Sequence, residues 1–162
     1  MIGASLIGLI SDTHGVLRPE AIAALRGSDL IIHAGDVGAS DILYQLRIIA
    51  PVVAVRGNVD KAPWASELPI TELIEAGAAT IYVIHDLHDL DLDPVAAEID
   101  VVVSGHSHNP DKSVRSGVLY INPGSAGPRR FKLPVTVARL NLSQRPWSVD
   151  FIDLFECGIP IA

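Results

Sequence analysis

One seven-residue stretch, LISDTHG at positions 9 to 15, sets a carboxylate (Asp12) and an imidazole (His14) two residues apart behind an apolar run. Both are metal ligands, but a carboxylate after a strand also serves as a helix N-cap, so the pair gains meaning only if it recurs. It does. DLIIHAGD ends in His33 and Asp36, PVVAVRGN in Asn58, TIYVIHDLH in His85 and His88, and DVVVSGHSH in His106 and His108. All six histidines of the chain stand at these run ends. Carboxylates, imidazoles and one carboxamide, without sulfur, suit first-row divalent metals such as Mn, Fe or Zn better than Ca. Seven candidates (Asp12, His14, Asp36, Asn58, His85, His106 and His108) exceed the needs of one tetrahedral ion. Two ions about 3.5–4 Å apart would use them all if one carboxylate bridged. Gly35, Gly57 and Gly105 each precede a ligand, where the missing Cβ permits a sharp departure from the strand.

Such a set converges only if the runs are neighbouring strands, because open α/β sheets bind ligands at the carboxyl ends of their strands. SLIGLIS, DLIIHA, PVVAVR, TIYVI and DVVVS are short, continuous and rich in β-branched residues, as strands buried on both faces are. RPEAIAALRG has the helix punctuation of Pro19 at its start and Gly27 after its end. SDILYQLRIIA carries apolar residues on one face, with Ser40 as the expected N-cap. This βαβαβ opening predicts parallel strands with right-handed crossovers. Later, ITELIEAG and TIYVIHD pair across a glycine turn, and Ser116-Gly117 makes a hairpin of KSVRSGVLYIN. PVTVARLNL and PWSVDFIDLF form a last antiparallel pair. The expectation is one α/β domain over residues 1–162, a mixed sheet first and an antiparallel-rich part second.

A chain of 162 residues can bury a sizeable core without disulfides. At 49% hydrophobic and only 5% aromatic, that core must be aliphatic. Twelve basic residues against 19 acidic, a net charge of −7, argue against an extended nucleic-acid footprint or an anionic membrane surface. The single cysteine, Cys157, excludes an internal disulfide and a thiolate-rich zinc site. The apolar run from Ile2 to Ile10 lacks a basic region before it, and no stretch is long enough to span a bilayer. A cytoplasmic protein is expected.

In combination and order, DTHG, GD, GN, a strand-end histidine and GHSH resemble the calcineurin-like metallophosphoesterases, and INPGSAGPRR resembles a segment of their small single-domain phosphodiesterases. The same group resembles the retromer scaffold subunit of eukaryotes. The resemblance implies two mixed β-sheets in a sandwich flanked by helices, a four-layer αββα fold. It also implies two divalent ions per chain, manganese first, with iron, zinc, nickel and magnesium as alternatives. Asp12, His14 and His108 would hold one ion and Asn58, His85 and His106 the other, with Asp36 bridging. A bridging water or hydroxide would then attack a small phosphate ester, a diester in preference to a monoester. Proton transfer falls to His106, His33 or Asp60, among which the sequence does not choose. Asn58 and Arg129, beside Arg130, would contact the substrate phosphate, since guanidinium matches phosphate geometry. A homo-oligomer is compatible with all of this.

Two positions depart from the family pattern. Asp86 follows His85 where the family usually has Gly, and Val59 follows Asn58 where many relatives carry the His that protonates the leaving group. Other readings stay open for single residues: His33 orients a ligand or is a bonded core histidine, and Asp86 and His88 line the cleft or belong to a solvated loop. The rival of another class is a non-catalytic scaffold on the same fold. A metallo-β-lactamase reading fails because Pro110 and Asp111 follow Asn109 in place of that family's Asp-His.

Overall fold

The computed structural model describes residues 3–156 and 160–161; Cys157, and Ile2 at the head of the first apolar run, lie outside them. Strands β1 (Leu6–Ile10), β2 (Leu30–His33) and β3 (Val52–Ala54) are parallel neighbours, linked by helices α1 (Pro19–Leu25) and α2 (Ser40–Ile49). Their side chains alternate between two apolar environments. Ile7, Leu9, Leu30 and Ile32 face the second sheet, while Ile10 and Ile31 meet Leu25, Leu43 and Leu46 of the helices. With both faces buried, β1 and β2 read as unbroken apolar runs, whereas β3, at the sheet edge, is half-buried throughout. Pro19 opens α1 as expected, but Ser40 is not the N-cap of α2. That position falls to Ala39, whose backbone is extended and whose side chain makes no capping bond. The helix is held by Ile42, Leu43 and Leu46 against the core rather than by its cap.

The second sheet has the order β4 (Thr71–Ala76), β5 (Ala79–Ile84), β6 (Val101–Val103), β8 (Val118–Asn122), β7 (Asp111–Arg115). Strands β5, β6 and β8 run parallel, with β4 and β7 antiparallel at the edges. Ser116 and Gly117 both adopt left-handed backbone, φ 51° and 79°, as a two-residue hairpin turn requires.

β9 (Thr136–Asn141) and β10 (Ser148–Asp153) pair antiparallel as expected, yet they do not build a separate antiparallel part. β9 lies against β1, so the first sheet runs β11 (Pro160–Ile161), β10, β9, β1, β2, β3. Both sheets are therefore mixed. The physical reason is burial: β9 sends Ala138 and Leu140 into the inter-sheet core and Val137 toward the helices, which only a position inside the first sheet satisfies.

The sandwich with flanking layers holds, although the fourth layer is thin. Tyr82, Ile84 and Val102 on the outer face of the second sheet are covered by Leu87, Leu90 and Leu92, from a one-turn 3-10 helix (Leu87–Asp89) and the chain after it. Among the described residues no helix is long and apolar enough to cross a membrane. The carboxyl ends of β1, β2 and β3 open at the same edge of the sandwich as those of β5 and β6, and the seven candidate ligands gather there.

Candidate metal centre

Left-handed backbone marks this edge. Asp12, His14, Asp36, His106 and His108 have φ between 47° and 70°, a region that non-glycine residues seldom occupy. Five of the seven candidates share it, and such strain persists only where the surroundings over-determine it. Here the loops are stitched together by backbone bonds. The Asp12 N–H donates to Gly35 O (3.0 Å), the His14 N–H to Asp36 O (2.9 Å), and the Gly105 N–H to His85 O (2.9 Å). Only Gly35 among the three glycines before ligands needs conformational freedom, at φ 99°. At Gly57 and Gly105 the need is space, since a Cβ would strike the Asp36 carboxylate or, at 2.7 Å, Asp12 Oδ2.

The side chains fall into two triads of a size that fits one ion each: Asp12, His14 and His108, then Asp36, His85 and His106. Asp12 Oδ1 stands 3.4 Å from His108 Nε2 and 3.9 Å from His14 Nε2. Asp36 Oδ2 is 3.2 Å from His85 Nε2 in its own triad and 3.6 Å from His14 Nε2 in the other. The Asn58 carboxamide joins the second triad, with Oδ1 3.0 Å from His85 Nε2.

Three of the candidate ligands, Asp12, Asp36 and His85, are aimed by bonds on their far sides. Ser11 Oγ donates to Asp12 Oδ2 (2.7 Å) and the His106 N–H to the same atom (3.1 Å), leaving Oδ1 free. The Val59 N–H fixes Asp36 Oδ1 at 3.0 Å, leaving Oδ2. His85 donates from Nδ1 to Ala34 O (2.7 Å), which presents Nε2 to the cluster. This arrangement, one ring nitrogen bonded and the other bare, is how proteins orient metal-binding histidines. Sequence reasoning missed Ser11 and also Asn122 and Ser125 of the NPGS segment. Asn122 donates to Gly105 O and Ser107 Oγ, while Ser125 Oγ donates to Asp12 O, so that segment clamps two ligand loops. Their one sequence signal is a polar residue held at a buried strand end.

His33 and Asp60 stand behind the cluster. His33 is fully buried, its Nδ1 accepting the Gly35 N–H (3.1 Å) and its Nε2 3.0 Å from Thr13 Oγ1. Thr13 Oγ1 already donates to Val37 O (2.8 Å), so Nε2 carries the proton and His33 is neutral. Burial pushes its pKa down to about 4. Both Asp60 oxygens accept backbone N–H groups, from Val37, Gly38 and Gly57. Neither residue has a free atom for proton transfer to a substrate. His88 is 94% exposed, its Nδ1 3.0 Å from Asp86 Oδ1. Asp86 turns its other oxygen toward His106 Nε2, at 3.6 Å. Of the two arginines, Arg129 lies over the Phe155 ring, whereas Arg130 is the one whose charge is felt at His14.

The electrostatics are those of a cluster built for cations. Burial works against ionisation of Asp36, but His85, the Val59 N–H and His14 outweigh it and hold the pKa at about 2. Burial likewise opposes the imidazolium of His85, yet Asp36, Asp12 and the Ala34 carbonyl hold its pKa above the usual histidine value. His14 is pushed down by burial, against the pull of Asp36 and Asp12. Buried Asp12 Oδ1 and His14 Nε2 have no hydrogen-bond partner. Polar atoms left unpaired out of water are costly, and a cation between Asp12 and His14 would satisfy both. The donor set fits divalent metal.

A fold and a site of this kind define a calcineurin-like phosphoesterase, and the chain belongs to that superfamily, whose domain matches residues 6–145. It is 37% identical over 149 residues to a probable metallophosphoesterase of Methanothermobacter thermautotrophicus, covering 84% of this chain and 86% of the relative. The fold is also that of vacuolar protein sorting 29 from Cryptosporidium parvum (TM-score 0.79, 20% identity, 93% of this chain and 92% of that one). A structure described as a novel archaeal phosphodiesterase is similar too (TM-score 0.71, 22% identity, 91% and 99%).

Proposed function

We propose that this protein hydrolyses phosphodiesters with two divalent metal ions, manganese foremost, and that residues 1–162 act as one domain in the cytoplasm. Asp12, His14 and His108 would hold one ion, Asn58, His85 and His106 the other, and Asp36 both. The observation that carries this reading is Asp36 Oδ2, within 3.6 Å of a histidine from each triad. When bound, two such cations activate water as a nucleophile and offset charge on the phosphoryl oxygens. The protein's own part is to hold that chemistry in place. Ser11 and Val59 N–H fix which carboxylate oxygen faces the centre, and His33 and Asp60 lock the loops that carry Asp12, Asp36 and Asn58. Arg129, which lies over the Phe155 ring, or its neighbour Arg130 would contact the substrate phosphate together with Asn58.

Preference for a diester is supported by shape. Two cavities, of 330 and 220 Å³, lie on either side of Asp86 and His106, one for each ester arm. The similarity to an archaeal phosphodiesterase agrees. The test is hydrolysis of bis(4-nitrophenyl) phosphate and of 4-nitrophenyl phosphate by manganese-loaded protein. The diester should turn over at least tenfold faster. Turnover of neither would favour the second reading, a metal-binding scaffold of the retromer type.

A further inference from the structure

The larger cavity has Asn58, His85 and His106 on one side and Arg56, Lys61, Ile70 and Ile84 on the others. Its two cations have no obvious reason to be there. Arg56 is half-buried with its Nε buried and unbonded. Among the described residues neither Arg56 nor Lys61 makes a salt bridge. The carboxylates nearby are committed elsewhere: Asp60 to three backbone N–H groups, Asp86 to His88 and His106. Asp89 stands exposed. In a chain with 19 acidic residues against 12 basic, two unpaired cations at one cavity mark an anion's place. A guanidinium partly removed from water and lacking an acceptor is destabilising, and its planar fork matches phosphate or carboxylate. The volume of 330 Å³ is that of a small-molecule site.

We infer that this cavity receives one ester arm of the substrate and that Arg56 and Lys61 bind an anionic group, phosphate or carboxylate, carried on that arm. The inference rests on the phosphoesterase reading and narrows it to diesters with an additional anionic group on one arm. Ile70 and Ile84 supply the apolar wall along which the arm lies.

The test is calorimetric binding to the manganese-loaded full chain of three probes: propyl phosphate, its 3-phosphorylated analogue and its 3-carboxylated analogue. At least one anionic-arm probe should bind about tenfold tighter than propyl phosphate, and which one does identifies the group. That ratio should fall to about threefold or less in Arg56→Gln, and in part in Lys61→Gln, where an exposed side chain is changed and folding is not at risk. A ratio near one in the unaltered protein, or a ratio unchanged in Lys61→Gln and in any folded Arg56→Gln, overturns the inference while leaving the phosphoesterase reading intact. If propyl phosphate itself fails to bind and the aryl diester is not hydrolysed, that reading falls and the inference with it.

Discussion

Asp36 Oδ2 stands 3.6 Å from Nε2 of His14, although the two residues belong to different triads. Asp12 Oδ1 also faces both triads, but it stands farther from the opposite one, 3.9 Å from His85 Nε2. Asp36→Asn should therefore weaken both metal sites, and we expect a loss in kcat/KM of about a hundredfold or more. Asn58→Ala removes one neutral ligand from one site and should cost about tenfold. Loss of a residue that merely orients a ligand typically costs about 10–100-fold, so loss of a ligand shared by both ions should cost at least as much. Equal losses in metal affinity and turnover for the two variants would mean that Asp36 serves one ion only.

The carboxylate of Asp86 faces Nε2 of His106, while Nδ1 of the same ring faces Asn58 in the second triad. A carboxylate behind a metal-binding histidine raises its basicity and fixes its rotation. Asp86→Asn should lower affinity for the second metal equivalent by about 10–100-fold and leave the first unchanged, as read by competition with a chelator. An unchanged second step would show that Asp86 belongs to the exposed loop with His88.

His33 should make the metal-free protein sensitive to acid. The unfolded chain protonates this residue near its ordinary pKa of 6.5, whereas folded His33 resists until about pH 4. Between those values the unfolded state binds more protons, so stability falls as pH drops through that window. The shift corresponds to at most about 3 kcal/mol. His14, also pushed down, adds the same sign. His85 is shifted up, so its contribution is present below the ordinary value and is lost as pH rises through its folded pKa, above this window. Asp36, at about 2, loses its contribution only below its ordinary 3.8. Denaturant unfolding of chelator-treated protein from pH 7 to 4 should show the decline, and His33→Gln should flatten much of it. An unchanged slope in His33→Gln would place the acid sensitivity elsewhere.

The candidate ligands were legible in the sequence because strand ends and ligand-capable residue types repeat in phase along the chain: Asp12 after β1, Asp36 after β2, Asn58 after β3. The hairpin at Ser116-Gly117 was legible because its turn chemistry is local. What holds the ligands was not. Ser11 bonds its immediate neighbour, but Thr13 to His33, Asp60 to Val37 and Ser125 to Asp12 join residues 20 to 113 positions apart. No periodicity encodes such contacts. The pairing of β9 with β1 was hidden for the same reason, since an antiparallel pair carries no mark of which sheet it completes. The placement of Arg129 over Phe155, 26 positions on, was likewise hidden.

Val59, 43% exposed, occupies the place where many relatives carry a proton-donating histidine. General acid catalysis contributes about 10²–10⁴-fold, most where the leaving group is a strong base. Rates across a series of aryl and alkyl diesters should therefore decline steeply with leaving-group pKa, because His33 and Asp60 have no free proton-donating atom at the centre. A flat series with chemistry rate-limiting would mean that another donor acts, and exposed His88 would be the first residue to replace.

Whether the two triads bind two ions is decided by manganese titration of chelator-stripped, folded protein, with bound metal and bis(4-nitrophenyl) phosphate hydrolysis followed together. Six clustered candidate ligands joined by Asn58, two orphaned buried atoms at Asp12 and His14, and an Asp36 oxygen near both triads predict two equivalents per chain. Hydrolysis should rise as the second equivalent fills. Saturation at one equivalent, or two equivalents bound with no hydrolysis of the diester, would contradict the account.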